Sequence, residues 1–191
     1  MNKITGVILA GGLSSRMGTD KGLMLLNGKA MIQYLIDTLK PILAEVIIIA
    51  NNKEYDKFGL KVFPDKIPFK GPVGGIYSGL HHSKTEKVLI VSCDTPFITK
   101  ELIQLLIDSE NNEVVISKQD DKLQPLIGLY SKNTMSTFKR CIEEDKLKLR
   151  KVLAVLQTKI INLDESDIDS SVFYNINTLS EFNKAKNEDR S

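Results

Sequence analysis

The sequence predicts an α/β domain built on a mostly parallel sheet covered on both faces by helices. Two patterns carry that prediction. Near-continuous apolar runs, Val46-Ile47-Ile48-Ile49 and Val88-Leu89-Ile90-Val91, suit strands buried on both faces. Between them lie segments of helical period, and this alternation is the signature of strand–helix–strand units. A chain of 191 residues, 42% hydrophobic, can bury one core of this kind, and a single domain spanning 1–191 is expected.

The elements follow in order. Ile4–Ala10 reads as a first strand and gives way to a Gly-rich loop reaching about Lys21. Ala30–Lys40 has apolar residues at 31, 32, 35, 36 and 39, a helical spacing closed by Pro41. Glu45–Ala50 and Leu60–Phe63 are the next strands. A loop containing Gly71, Pro72, Gly74 and Gly75 precedes a helix over Gly75–His82, then Lys87–Ser92 is a strand. Thr99 precedes a helix over Lys100–Ser109. Val114–Ser117 and Gln124–Tyr130 are strands joined by a polar Gln-Asp-Asp-Lys turn. Helices over Asn133–Glu144 and Leu149–Leu156 and a strand over Lys159–Leu163 follow. Thr178, with Glu181 three residues on, forms a capping box for a last helix.

Composition excludes several classes. Twenty-six Lys and Arg against 24 Asp and Glu leave a formal charge of +2, too balanced for nucleic-acid binding by bulk charge. No apolar run approaches the roughly 18 residues of a membrane span, and the first ten residues read as strand and loop rather than a targeting signal. Cys93 and Cys141 lack CxxC or metal-ligand spacing, as expected of a cytoplasmic protein with reduced thiols.

In parallel sheets ligands sit at the carboxyl ends of strands, so the residues there are the candidates. Gly11 and Gly12 let the backbone approach a ligand and turn N–H groups toward phosphate oxygens. Arg16 and Lys21 add a planar fork of donors and a compact cation. The spacing is neither GxxxxGK[ST] nor GxGxxG, so a P-loop is excluded and a dinucleotide-dependent oxidoreductase disfavoured. Asp94 follows a buried strand directly, where its carboxylate can hold Mg²⁺ beside a triphosphate or start an Asx turn. Asp65 also follows a strand and alone reads as a turn residue, whereas Asn51 and Asn52 end a strand either as turn residues or with amides that could read a base or ribose. Asn175 and Asn177 alternate along an extended segment and share one face. Lys146, Lys148, Arg150 and Lys151 read as a solvated face, His81-His82 as surface, and Cys93 as a small buried residue.

The stretch Leu9–Leu23 (LAGGLSSRMGTDKGL) resembles the signature loop of nucleotidyltransferases with a Rossmann-like, three-layer fold and a mixed, mostly parallel sheet. Asp20-Lys21-Gly22-Leu23, Gly71-Pro72-Val73-Gly74-Gly75-Ile76, Cys93-Asp94-Thr95-Pro96-Phe97 and Asn175-Ile176-Asn177-Thr178, in that order, resemble the molybdenum cofactor guanylyltransferases. The resemblance spans about residues 4–187.

It implies transfer of GMP from GTP to the terminal phosphate of molybdenum-loaded molybdopterin, with Mg²⁺ as cofactor and pyrophosphate as second product. By position, Leu9, Ala10, Gly11 and Gly12 would lie along the nucleotide, and Arg16 and Lys21 would bind its phosphates. Asn51 and Asp65 would contact base and ribose, Asp94 metal and nucleotide, and Asn175 and Asn177 the molybdopterin. Residues 1–100 would serve the nucleotide and 101–187 the acceptor.

A monomer is expected, with other cofactor-assembly proteins and acceptor apo-enzymes as partners. Ala30, Leu179 and Gln124 depart from the family's usual Pro, Pro and His. The neighbouring alternatives are a molybdopterin cytidylyltransferase, a sugar-phosphate nucleotidyltransferase and a non-catalytic cofactor carrier. The last would not require Arg16, Lys21 and Asp94 together.

Overall fold

A computed structural model describes residues 4–11, 20–109 and 111–188. Seven strands form one sheet: β1 (Ile4–Leu9), β4 (Glu45–Ile49), β5 (Lys61–Phe63), β6 (Lys87–Ser92), β7 (Val114–Gln119), β8 (Lys122–Ser131) and β9 (Thr158–Asn162). Their order is β5-β4-β1-β6-β8-β7-β9. Only β8 runs against the rest: it is antiparallel to β6 and β7, whereas the other neighbouring pairs are parallel.

A second, two-stranded sheet, β2 (Leu25–Leu26) and β3 (Lys29–Ala30), turns at Asn27-Gly28. Both turn residues have positive φ, 49° and 80°, as this tight hairpin type requires. Asp120 and Asp121 supply the same geometry between β7 and β8, at 48° and 57°.

Alternation along the central strands sends neighbouring side chains to opposite faces. Ile8, Ile48, Leu89 and Val91 are buried with Ile32 and Leu35 of α1 (Met31–Leu39) and Leu102 and Leu106 of α3 (Lys100–Asp108). Val7, Ile47, Ile49, Val88 and Ile90 are buried with Val73, Ile76 and Leu80 of α2 (Gly71–His82). Phe138 and Ile142 of α4 (Met135–Glu143) and Val152 of α5 (Leu149–Leu153) join that second layer. Helix–sheet–helix layering therefore follows from strands apolar on both faces. Thr99 caps α3, its side chain accepting from the Leu102 amide at 3.4 Å.

Helix α2 begins at Gly71, four residues earlier than the glycines suggest. Pro72 lies in its first turn, where its missing N–H is no loss. The later glycines serve close approach: a Cβ on Gly75 would lie 3.3 Å from Leu9, and one on Gly79 would lie 2.8 Å from Val7 and 3.2 Å from Ile90. Gly79→Ala should therefore destabilise the fold. Overpacking a stiff buried valine costs about 1–3 kcal/mol, against about 1 kcal/mol gained in helix propensity. A denaturation midpoint at or above the parent's would contradict this packing.

A third cluster sits at one end of the sheet. Leu26, Met31, Ile176 and Phe182 are buried together, the last from α6 (Leu179–Glu188). The carboxyl-terminal segment is thereby seated beside the β2–β3 hairpin. No helix among the described residues is long and apolar enough to cross a membrane.

Candidate active site

Strand order reverses beside β1. The chain leaves β1 for β4 and β5 on one side and returns through β6 on the other. A crevice at the carboxyl ends of β1 and β6 is where such sheets bind ligands.

Leu9 and Ala10 are buried, Gly11 is exposed, and the Cys93 amide donates to the Leu9 carbonyl at 3.0 Å. Asp94, half-buried, stands next in the crevice. Its Oδ1 atom is shielded from solvent and has no hydrogen-bond partner among the described residues. An unsatisfied buried carboxylate oxygen is costly unless another group binds it. One hard oxygen ligand suits Mg²⁺, which takes one or two carboxylates and completes its shell with phosphates and water. Among the described residues no group of three or more His, Cys, Asp or Glu forms an all-protein cage.

Lys21 opens a short turn over Lys21–Leu23, and its Nζ donates to Asn177 Oδ1 at 2.7 Å. Two candidates 156 residues apart thus meet. The Ile176 amide donates to the Asp94 carbonyl at 2.8 Å, which lays the Asn175–Asn177 segment along the β6 exit. Ile176 is buried, Asn175 exposed and Asn177 half-buried, the alternation the sequence predicts. Asp94, Asp20 and Lys21 all act electrostatically on the Cys93 thiol, and burial pushes that thiol well above its usual range. Cys93 is therefore a buried spacer, not a nucleophile.

Asn51 and Asp65 form a closed pair. Asn51 Nδ2 donates to Asp65 Oδ2 at 3.2 Å, and the Asp65 amide donates to Asn51 Oδ1 at 3.1 Å. Asp65 Oδ2 would lie 3.4 Å from a Cβ on Gly11, so the pair borders the β1 exit. Gly12 and Arg16 lie outside the described residues.

The predicted capping box forms. Glu181 Oε2 accepts from the Asn177 and Thr178 amides, each at 2.8 Å, and Thr178 Oγ1 accepts from the Glu181 amide at 3.2 Å. The Asn177 amide donor, followed by the other bonds of the box, holds the Glu181 carboxyl below the usual range. A lowered folded-state pKa means its stabilising contribution is present above the unfolded value and lost as pH falls through the folded one. Thermal stability measured from about pH 5 to 3 should thus fall less steeply in Glu181→Gln than in the parent. Equal slopes would remove Glu181 from acid destabilisation.

Some candidates stay apart, and some contributors carry no signature. Lys146, Lys148, Arg150 and Lys151 straddle the start of α5 rather than share a helix face. His82 is half-buried, its ring stacked on Phe63 at 4.2 Å, whereas His81 is exposed. Tyr55 and Ser78 carry no sign in the sequence, and Asp20 none apart from its place in the Asp20–Leu23 block. Ser78 accepts from the Lys66 amide at 2.9 Å and donates to the Gly74 carbonyl at 2.7 Å, tying the loop after Asp65 to α2. Asp20 adjoins a suspected cation, which was the only available sign.

A sheet whose strand order reverses, with Gly11, Lys21 and Asp94 near its carboxyl edge, has the layout of a nucleotide-binding α/β domain. Residues 6–160 match the family described as the MobA-like NTP transferase domain, and the chain belongs to that family: it is a nucleotidyltransferase. A probable molybdenum cofactor guanylyltransferase of Flavobacterium johnsoniae is 41% identical over 96% of both chains. One of Clostridium perfringens is 37% identical over 95% of this chain and 96% of its own. The crystal structure of molybdopterin-guanine dinucleotide biosynthesis protein A from Archaeoglobus fulgidus, at 22% identity, superposes with a TM-score of 0.81 over 96% of this chain and 97% of that one. It bears out the fold.

Proposed function

We propose that the chain transfers GMP from GTP to the terminal phosphate of molybdenum-loaded molybdopterin, giving the guanine dinucleotide cofactor and pyrophosphate. The observation that carries this reading is the meeting of Lys21 with Asn177 beside the unpartnered Asp94 oxygen. A phosphate-binding cation and an acceptor-side amide are thereby joined at one crevice, and two close relatives are named for this activity.

An acceptor phosphate oxygen attacks the α-phosphorus of GTP, the bond from that phosphorus to the bridging oxygen breaks, and pyrophosphate leaves. The acceptor is an anion near neutral pH, so no strong general base is needed. The protein's task is alignment and neutralisation of spreading charge. Lys21, with Arg16, binds the phosphates; Leu9 to Gly12 lie along the nucleotide; Asn51 and Asp65 face base and ribose. Asn175 and Asn177 orient the molybdopterin. Mg²⁺, held through Asp94, supplies electrophilic stabilisation of the phosphate oxygens when bound.

On this reading residues 1–100 serve the nucleotide and 101–187 the acceptor within one domain. The protein works as a cytoplasmic monomer that hands cofactor to assembly proteins and apo-enzymes. GTP labelled at the α-phosphorus should leave its label on the acceptor, and a γ-label should leave in pyrophosphate. Release of the α-label as free GMP, with none on the acceptor, would refute transfer.

A further inference from the structure

We propose that Tyr55 is a positioning residue for Lys21, acting through Asp20. Tyr55 belongs to the short helical turn Lys53–Phe58 after β4 and is fully buried, yet it carries a hydroxyl. That hydroxyl donates to Asp20 Oδ1, in a short hydrogen bond. Asn52 Nδ2 donates to the other carboxylate oxygen, Oδ2, at 3.2 Å. Both oxygens of Asp20 are therefore gripped by neutral donors from one segment. An aspartate suits this place because both its oxygens accept; an asparagine keeps one acceptor oxygen, so its NH2 would either oppose the Asn52 amide or reverse the bond with the Tyr55 hydroxyl.

Lys21 follows Asp20 directly, and the turn that carries it is fitted to the tyrosine. A Cβ on Gly22 would collide with the Tyr55 hydroxyl and lie 3.2 Å from two ring carbons. The tyrosine thus fixes the backbone on both sides of Lys21: Asp20 by hydrogen bonding and Gly22 by contact. Burial above all, with the hydrogen bond to the Asp20 carboxylate, pushes the phenol far above its ordinary range, so it remains a donor at working pH. On the far side Asn177 holds the ammonium. A lysine has four rotatable bonds, and anchoring its backbone reduces the ordering that phosphate binding must impose.

This inference rests on Lys21 as a phosphate-binding group. The test is a double-mutant cycle on binding of GTP and inorganic tripolyphosphate, followed by calorimetry without acceptor. Tyr55→Phe should weaken both ligands about 3- to 10-fold and by the same factor, because the effect is on phosphates and not on the base. In a Lys21→Ala background, Tyr55→Phe should change neither by more than about twofold. Asp20→Asn should reproduce this pattern and replaces Tyr55→Phe in the cycle if that variant does not fold.

Equal weakening in both backgrounds, or a lowered melting temperature with unchanged binding, would leave Tyr55 with a structural role and overturn the proposal. If the parent binds tripolyphosphate and another nucleoside triphosphate but not GTP, the base assignment above falls, and the cycle is read with that nucleotide. If the parent binds none of them, both readings fall.

Discussion

Asp94→Ala should abolish Mg²⁺-dependent turnover while leaving the protein as stable as the parent, or slightly more so. Loss of the carboxylate removes the anchor for a cation whose charge stabilisation is worth several kcal/mol, about 4 kcal/mol or roughly a thousandfold in kcat/KM. Stability should not suffer because Oδ1 makes no hydrogen bond. The bond that Asp94 does provide to the fold runs from the Ile176 amide to its backbone carbonyl, which alanine keeps. A buried oxygen without a partner costs stability, and sites of function are where such costs persist. Turnover within a few-fold of the parent would remove Asp94 from the site. A large fall in melting temperature would instead make its carboxylate structural.

Lys21→Ala should raise the KM for GTP and lower kcat/KM by roughly 10- to 150-fold, the equivalent of about 1.5–3 kcal/mol for one charge-assisted contact. The substitution also frees the Asn177 carboxamide, so molybdopterin affinity should change in the same variant. Steady-state kinetics with each substrate varied in turn separates the two effects. Unchanged constants for both substrates would return Lys21 to the surface. On the proposed reading its meeting with Asn177 joins the nucleotide and acceptor sides, which makes it the most informative single side chain to remove.

Much of this was legible in the sequence where local pattern and global fold agree. The runs Val46–Ile49 and Val88–Val91 are apolar at every position because both sheet faces are covered, and each became a central strand. The place of Asp94 just after a strand and the alternation of Asn175 and Asn177 are legible because strand ends and alternation are local properties. Helix α2 began early because glycine and proline read as loop signals, whereas here Pro72 occupies a first turn and Gly75 and Gly79 admit β1. The β2–β3 hairpin escaped notice because two-residue strands have no period.

What local pattern cannot carry is pairing at distance. Lys21 and Asn177 were each suspected alone, but nothing in either segment says that they touch. Asp20 is marked only by its place beside Lys21, and nothing marks Tyr55, 35 residues away, as its partner. A tyrosine in an apolar context reads as core, and only the fold reveals where its hydroxyl goes. Asp65 reads alone as a turn residue, and only the fold shows Asn51 donating to its carboxylate.

The most direct test of the central claim is pyrophosphate release by the purified chain with Mg²⁺ and molybdenum-loaded molybdopterin, compared across GTP, CTP, ATP and UTP. Release with GTP, and with the other three at no more than a small fraction of its rate, is the predicted result. Release with CTP instead would keep the fold, the cation site and the phosphate contacts while contradicting the guanylyl assignment. No release with any of the four would contradict transfer to molybdopterin itself.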